Sequence, residues 1–272
     1  MPLSFQETGN PTSPTIVFIH GGGGAGWMWV PQVEQLEEFH CLVPDLPEQG
    51  QSVTEKPFGI ASSAALVADL IRSRAHNGKA HLVGLSEGAQ VAVALMAQSP
   101  ELVESVILSS ALVRPIPGSA LITPGLIAWS YRWFVAPFKN NDWWIRINMQ
   151  YAAGVPEKYF QEFRRSFQEL NETGFINLMI ENQRFRIPAG LERVQVPTLI
   201  VCGQNEYAAM RQSARDLAAA LPNARAYTVQ HNHKLSLAEE HNWNMTAPAL
   251  FNAMLRAWFN RQPLPEELRP VT

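Results

Sequence analysis

The sequence predicts an α/β protein: a mostly parallel central sheet flanked by helices, with one inserted helical lid. Three observations lead to this prediction. Short apolar segments rich in β-branched residues recur along the chain, helical patterns separate most of them, and one long stretch has helical patterns without a convincing strand. Strands that alternate with helices form parallel sheets, because each crossover returns the chain to the same edge. With 46% apolar residues, the chain of 272 residues can bury a large core.

Each predicted strand is a short apolar run that ends in a turn. The first central strand, 15–20, is apolar throughout and is followed by four glycines, which is typical of a strand buried on both faces. Helices are predicted at 62–74 and 211–221, where apolar residues recur every three or four positions. The other predicted strands are 40–46, 80–85, 103–109, 198–202 and 224–229.

The alternating pattern divides the chain into a core and an insertion. Residues 1–112 and 191–261 carry the pattern and form the predicted core. Residues 113–190 are rich in Trp and Phe, and we expect a helical lid over the carboxyl edge of the sheet, where ligands of open α/β folds bind. The same aromatic residues are also consistent with the insertion's own core. Residues 262–272 are Pro-rich and polar, which predicts a mobile tail.

Composition and charge exclude several classes of function. The formal net charge is −3 and Lys and Arg are scattered singly, so the basic surface of a nucleic-acid-binding protein is not expected. No run of about eighteen apolar residues is present, and the first residues lack the order of a secretory signal, which predicts a cytoplasmic chain without a membrane span. Cys41 and Cys202 lie in predicted apolar strands, as expected of buried thiols.

A serine occupies the turn between the predicted strand 80–85 and the helical pattern after it. The sequence G-L-S-E-G at 84–88 has the spacing of a nucleophile elbow, in which a sharp turn exposes the serine hydroxyl above the sheet. The glycines two positions before and after the serine are needed because the turn is strained and crowded. The pattern therefore predicts that Ser86 is a nucleophile.

A glycine-rich loop follows the first central strand. In the sequence H-G-G-G-G at 20–24, the missing side chains let backbone N–H groups approach a ligand oxygen closely, as in an oxyanion hole. We assign the two donors to the backbone N–H groups of Gly22 and of Glu87, the residue after the nucleophile. A phosphate-binding loop would need a following Lys and a Ser or Thr, and A-G-W at 25–27 supplies neither.

The glycine loop, the turn P-D-L-P-E-Q-G-Q-S at 44–52 and the Ser86 elbow resemble the α/β-hydrolase superfamily, specifically its serine esterases with a helical lid, over nearly the whole chain. The resemblance implies the α/β-hydrolase fold, with a triad in the chain order serine, acid, histidine. It also implies a lid at the place where residues 113–190 are inserted. Glu48 and Gln49 depart from this pattern, since many relatives have Gly and His there. Because the turn lies near the site, the departure affects the identity of the substrate more than the mechanism.

The acid of the triad is expected in the loop after the strand 198–202. That loop contains Glu206, just before a helical pattern. The loop after 106–108 offers S-S-A and no carboxylate, which favours Glu206 further. A glutamate can hold an imidazole in the required tautomer.

Three histidines follow the last predicted strand: His231, His233 and His241. Counted forward along the chain, His233 stands where relatives place the base. Counted backward from the final helix, His241 and the residues after it resemble the family's histidine turn. We assign the base to His241, because an insertion before the loop costs little, and keep His233 as the alternative.

The resemblance implies a serine hydrolase that cleaves an ester or similar acyl compound through an acyl-enzyme on Ser86. The aromatic, apolar character of residues 113–190 favours a small lipophilic substrate. Carbon–carbon bond hydrolases, thioesterases and lyases on this fold keep the serine, and ligand-binding receptors with vestigial hydrolysis look similar, so these alternatives stay open. No metal and no organic cofactor are expected, since the mechanism needs none and no HExxH pair is present. Exposed aromatic residues of the lid would allow a homodimer.

Overall fold

An eight-stranded sheet forms the centre of the fold. The structure is a computed structural model, and it describes residues 3–55, 57–116 and 118–271. The strands in chain order are β1 (Phe5–Thr8), β2 (Thr15–Ile19), β3 (His40–Pro44), β4 (Ala80–Leu85), β5 (Val103–Ser109), β6 (Thr198–Gly203), β7 (Ala224–Val229) and β8 (Leu268–Pro270). Their spatial order is β1-β3-β2-β4-β5-β6-β7-β8.

Strands β2 to β7 run parallel, and only the edge pairs β1 with β3 and β7 with β8 are antiparallel in the described part of the chain. Leu82 of β4 lies opposite Val17 of β2 and Val106 of β5, so the carboxyl ends of neighbouring strands reach the same edge. Strands β2 and β3 are buried along their whole length, as expected where both faces are covered. The predicted α/β class with a mostly parallel sheet is confirmed.

Helices of very different length connect the strands. The α-helices are α1 (Val30–Val33), α2 (Ile60–Arg74), α3 (Glu87–Gln98), α4 (Pro124–Ser130), α5 (Asp142–Ile147), α6 (Phe160–Glu169), α7 (Glu172–Arg184), α8 (Ala208–Ala220), α9 (Leu237–His241), α10 (Trp243–Thr246) and α11 (Pro248–Phe259). Single-turn 3₁₀ helices are Gly26–Trp29, Gly50–Ser52, His76–Gly78, Pro100–Leu102, Ser119–Leu121, Ala136–Phe138, Glu157–Tyr159 and Leu191–Arg193, and π-helical turns are Tyr131–Val135 and Asn148–Ala152. No described helix has the length and apolar character required to cross a membrane.

Apolar clusters cover both faces of the sheet. On one face, α2, α3 and α8 pack around residues such as Leu82. On the other face Trp29 lies between Phe18 and Phe251, at ring-centroid distances of 5.0 Å and 5.7 Å. Each large side chain that is fully buried in this way contributes about 1.5–3 kcal/mol relative to an exposed one.

The C-terminal segment differs from the mobile tail that its composition predicts. Leu268 to Pro270 form β8, which pairs with β7, and the Leu268 side chain is only 5% exposed. Two flanking backbone bonds extend the pairing, from Gln230 N–H to Glu267 O at 2.8 Å and from Val271 N–H to Ala226 O at 2.9 Å. Strand pairing together with the apolar side chains of Leu264 and Leu268 therefore docks this Pro-rich segment.

The segment 113–190 contains α4 to α7 and the two π-helical turns, and no strand within its described residues. Its apolar residues divide into two groups. Ile145, Met149 and Phe160 are buried and belong to the cluster on the second face of the sheet. The second group is about half or more exposed to solvent and comprises Trp129, Trp133, Phe134, Trp143 and Tyr151.

Candidate active site

Ser86 lies on a strained turn between β4 and α3. Its backbone has φ 55° and ψ −114°, a conformation that costs of order 1–3 kcal/mol for a residue with a side chain. A Cβ on Gly84 would lie 2.5 Å from Gly88 O, and a Cβ on Gly88 would lie 2.1 Å from Ile19 O. Only glycine fits at either position, which is the physical reason for the G-x-S-x-G spacing.

A histidine and a carboxylate meet at the same edge of the sheet. Nδ1 of His241 lies 2.5 Å from Oε1 of Glu206, which is 1% exposed in the loop after β6. His241 is the last residue of the short helix α9. This contact makes Nδ1 the protonated nitrogen of a neutral ring, and it leaves Nε2 as the proton acceptor.

The second oxygen of Glu206 is held by two donors. Oε2 accepts hydrogen bonds from the Ser110 hydroxyl at 2.9 Å and from Gly203 N–H at 3.0 Å. The Ser110 hydroxyl also lies 3.3 Å from the backbone oxygen of His241. Ser110 therefore ties the acid and the histidine to the end of β5.

The end of β5 also anchors the nucleophile turn. Ser86 N–H donates to Ser109 O at 2.8 Å, and the next residue, Ser110, contacts Glu206. Ser86 after β4, Glu206 after β6 and His241 in α9 are thus all tied to Ser109 and Ser110 at the carboxyl end of β5. Within the described ranges the Ser86 hydroxyl makes no hydrogen bond of its own, and catalytic contacts of this kind often tighten only when substrate binds.

Hydrogen bonds to Glu240 of α9 hold the loop that carries Glu206. Glu240, 2% exposed, accepts hydrogen bonds from the backbone N–H of Asn205 at 2.8 Å and from its side-chain amide at 3.0 Å. Since Glu240 precedes His241, one short helix orients both partners of the pair. A Cβ on Gly203 would collide with this carboxylate, so the loop also needs glycine at that position.

The other candidate histidines lie apart from Glu206. His233 is exposed, and no hydrogen bond links it to a carboxylate in the part of the chain that the structure describes. The ring of His231 packs 6.4 Å from that of Trp243, and burial lowers its pKa. The structure therefore brings His241, and not His233, to the predicted acid.

The glycine loop after β2 lies against the nucleophile turn. A Cβ on Gly21 would lie 3.6 Å from the Ser86 Cβ, and a Cβ on Gly22 would lie 2.8 Å from Oε2 of Glu87. Over the described residues, the backbone N–H groups of Gly22 and Glu87 donate no hydrogen bond, and that of Glu87 belongs to the unsatisfied first turn of α3. Both predicted donors are free to bind a substrate oxygen.

A buried histidine fixes the path of the glycine loop. The His20 ring, 0% exposed, contacts Gly21 O through Nδ1 at 2.8 Å and accepts the Leu46 N–H through Nε2 at 2.9 Å. Burial lowers the pKa of His20, more strongly than the Asp45 carboxylate raises it. The neutral ring is therefore a structural link between the loops after β2 and β3.

Helices from the insertion cover this edge of the sheet. Leu178 of α7 comes within 3.3 Å of the place where a Gly22 Cβ would lie. The Asn177 side-chain amide donates to Oε2 of Glu48 at 2.8 Å, and the Trp27 indole donates to the Ser166 hydroxyl of α6 at 3.0 Å. Polar contacts of this kind hold α6 and α7 over the glycine loop.

Sequence reasoning missed several residues that shape the site. Ser110 and Glu240 hold the acid loop, and Glu48 contacts α7 through Asn177. The departure from the family pattern at Glu48 was the only one of these visible in the sequence.

Open clefts lie at the opposite edge of the sheet. One cleft of about 770 Å³ is lined by His81, Glu104 and Ala224, which stand at the amino ends of their strands, and by Trp258. Ligands of open α/β folds bind at the carboxyl edge, so this cleft is not the candidate site. Across the described ranges, no group of three or more His, Cys, Asp or Glu side chains could hold a metal ion.

Comparisons with known proteins identify the family and the fold. The model of the alpha/beta hydrolase family matches residues 16–261. An AB hydrolase superfamily protein of Gibberella zeae is 28% identical over 271 residues, covering 96% of this chain and 86% of that protein. A proline iminopeptidase of Neisseria meningitidis serogroup A is 27% identical over 275 residues, covering 85% and 86%. The structure of a thermophilic esterase from Thermogutta terrifontis has a TM-score of 0.72 at 21% identity, covering 95% and 93%.

Proposed function

The chain belongs to the alpha/beta hydrolase family, and on that premise we propose that it is a serine hydrolase that cleaves a carboxylic ester or similar acyl compound through an acyl-enzyme on Ser86. The observation that carries the proposal is the 2.5 Å contact between His241 and Glu206 at the edge where the Ser86 elbow lies. A serine on a strained elbow beside such a pair is the arrangement that nucleophilic acyl transfer requires.

In this mechanism Nε2 of His241 takes the proton of the Ser86 hydroxyl as its oxygen attacks the carbonyl carbon. Glu206 stabilises the imidazolium, and the imidazolium then protonates the leaving group. The N–H groups of Gly22 and Glu87 bind the negative oxygen of the tetrahedral intermediate, and each such donor accelerates the reaction by about 10²–10³. Water activated by His241 cleaves the acyl-enzyme in the second half of the cycle.

Residues 113–190 act as a lid in this proposal. Support comes from Leu178, which lies 3.3 Å from the place where a Gly22 Cβ would be, and from the Asn177–Glu48 hydrogen bond, since both hold α7 next to the glycine loop. A lid of this kind would exclude bulk water from the acyl-transfer intermediates and would open to admit substrate.

The class of bond is less constrained than the mechanism. A relative named for peptide cleavage and a structural neighbour named for ester cleavage both resemble this chain. The lipophilic substrate rested on the aromatic residues of the insertion, but Trp129, Trp133 and Trp143 are 51%, 63% and 68% exposed, so they do not support an apolar binding pocket. The homodimer and the cytoplasmic location stay predictions.

Release of p-nitrophenol from p-nitrophenyl butanoate at pH near 8 tests the proposal. Ser86→Ala and His241→Ala are expected to lower kcat/KM by at least about 10³-fold, because each removes a member of the triad. His233→Ala is the matched control and is expected to keep turnover within about twofold, because its exposed ring has no contact with Glu206.

If His233→Ala lost turnover and His241→Ala kept it, His233 would be the catalytic base. Retained turnover in Ser86→Ala would contradict the acyl-enzyme. If the wild type released no p-nitrophenol, a carbon–carbon bond hydrolase, a thioesterase, a lyase or a ligand-binding receptor would become the leading interpretation.

A further inference from the structure

The side chain of Glu87 is buried next to the nucleophile without a hydrogen-bond partner. The residue is 0% exposed, and neither Oε1 nor Oε2 is paired within the described part of the chain. Buried carboxyl groups in folded proteins are nearly always hydrogen-bonded, because an unpaired one is costly. A carboxyl group left unpaired beside a nucleophile therefore calls for a ligand.

The carboxyl group lies between the glycine loop and α7. A Cβ on Gly22 would come within 2.8 Å of Oε2 of Glu87 and within 3.3 Å of Leu178 Cδ2, so both side chains face the same small space. Gly22 and Glu87 supply the two N–H groups assigned to the oxyanion hole. The carboxyl group of Glu87 thus lies beside Gly22, one of the two residues assigned to the oxyanion hole.

A second buried polar group without a partner lies in the same place. The side-chain oxygen of Gln49 accepts the Gly23 N–H at 2.7 Å, which fixes the side chain against the glycine loop. Its Nε2 is buried and has no hydrogen-bond partner among the described residues. The Gln49 amide faces the Glu87 carboxyl closely enough to lower its pKa as a hydrogen-bond donor, but the two groups do not reach hydrogen-bonding geometry with each other.

The charges around this space determine which ligands it accepts. Burial raises the pKa of Glu87 well above its usual range, and the nearby Glu181 raises it further, so the protonated, uncharged form of the group is favoured. It then offers one O–H donor and one carbonyl acceptor, and Gln49 adds N–H donors. The carboxyl groups of Glu48 and Glu181, both bonded to backbone N–H groups nearby, would repel an anionic acyl group.

We propose that Glu87 and Gln49 form a polar acyl subsite, which selects uncharged substrates whose acyl chain carries a hydrogen-bonding oxygen or nitrogen close to the scissile carbonyl. The inference rests on the proposed acyl transfer at Ser86 and names the substrate class for that site. The side chain of Glu87 is a specificity-determining group that contacts the substrate, separately from its backbone N–H.

Two esters of equal size test the subsite. p-Nitrophenyl methoxyacetate and p-nitrophenyl butanoate differ only by an ether oxygen in place of a methylene, so their kcat/KM ratio reports how the site treats that oxygen. Intrinsic reactivity is the same for every variant and cancels when ratios are compared. The ratio is measured for the wild type, Glu87→Met, Glu87→Gln and, as the matched control, Glu101→Met at an exposed position before β5.

We expect Glu87→Met to lower the ratio at least about tenfold, because one hydrogen bond to the substrate is lost. Glu87→Gln keeps a donor of similar length and is expected to keep the ratio within about threefold, and Glu101→Met is expected to leave it unchanged. An unchanged ratio in Glu87→Met, with turnover intact, would overturn this inference alone. Ser86-dependent release from neither ester by the wild type would overturn the proposed function and this inference together.

A purely structural role for Glu87 has a different signature. Replacing an unpaired buried carboxyl with Met would then raise the Tm by about 2–4 °C and leave the ester ratio unchanged. Measuring the Tm of each variant beside the ratio separates the two roles, and it also identifies any variant that fails to fold.

Discussion

At the scale of single residues, Glu87 links ionisation to folding. Its pKa in the folded protein is raised, mainly by burial, above that in the unfolded chain, which is about 4.3. Between these two pKa values the folded state keeps a proton that the unfolded state has released. The free energy of unfolding therefore falls as pH rises from about 4.3 through the folded-state pKa, and this penalty is absent below about pH 4.

Glu87→Gln removes that pH-dependent penalty, since an amide does not ionise. We expect the variant to gain stability relative to the wild type as pH rises from about 4 to 8, as measured by urea unfolding across that range. All other titrating groups are common to both proteins and cancel in the difference. A difference in unfolding free energy that is the same at both ends of the range would contradict the raised pKa of Glu87.

The residues of the candidate site were predictable to different degrees. Ser86 follows from a turn that only certain residue types can form, and Glu206 follows from the absence of another carboxylate in the neighbouring loop. Ser110 and Glu240 act through contacts with residues 96 and 35 positions away in the chain. Such contacts depend on how the strands are ordered, which local sequence does not encode.

At the scale of elements, the packing of α3 against β2 makes the elbow possible. Gly88 is the second residue of α3, and a Cβ there would lie 2.1 Å from Ile19 O and 2.6 Å from His20 O. Both atoms belong to the backbone of the strand end that leads into the glycine loop, so the clash cannot be relieved by a side-chain rotation. Helix and loop are thereby held at a fixed distance.

Gly88→Ala is expected to destabilise the protein by at least about 2–3 kcal/mol, because the methyl group must displace backbone atoms. Chemical denaturation measures the loss. Gly125→Ala in α4 is the control, since its Cβ would meet only Thr123 Oγ1 at 3.9 Å, and helix propensity favours alanine by up to about 1 kcal/mol. Equal stability in the two variants would contradict the close approach of α3 and β2.

The central strands were predictable because parallel strands buried on both faces are continuous apolar runs. The observed β4, β5 and β7 have the predicted bounds, and β2, β3 and β6 differ by one or two residues at their ends. The edge strands β1 and β8 were not predicted. β1 is the polar sequence F-Q-E-T and β8 has three residues, so neither carries an apolar pattern.

At the scale of the whole molecule, antiparallel strands close both edges of the parallel sheet. β8 covers the outer edge of β7, and Leu268 joins the apolar cluster on the second face of the sheet. An uncovered parallel edge would present free backbone groups to other chains. The C-terminal segment is thus part of the folded core, although its composition is that of a tail.

Leu268→Ala is expected to cost about 2–4 kcal/mol, because it removes a buried side chain and weakens the docking of β8. Leu121→Ala is the matched control: this side chain is 79% exposed, so the cost is expected within about 0.5 kcal/mol. The comparison is made from urea unfolding curves. A negligible loss of unfolding free energy in Leu268→Ala would indicate that the segment is mobile, as its composition predicts.

The covalent bond that Ser86 forms as a nucleophile is tested most directly by intact-protein mass spectrometry after treatment with a fluorophosphonate. We predict a single adduct per chain, on the peptide that contains Ser86. The adduct is expected to be absent in Ser86→Ala and to form more slowly in His241→Ala, because the base is missing. An adduct on another residue, or no adduct in the folded wild type, would contradict the assignment of Ser86 as the nucleophile.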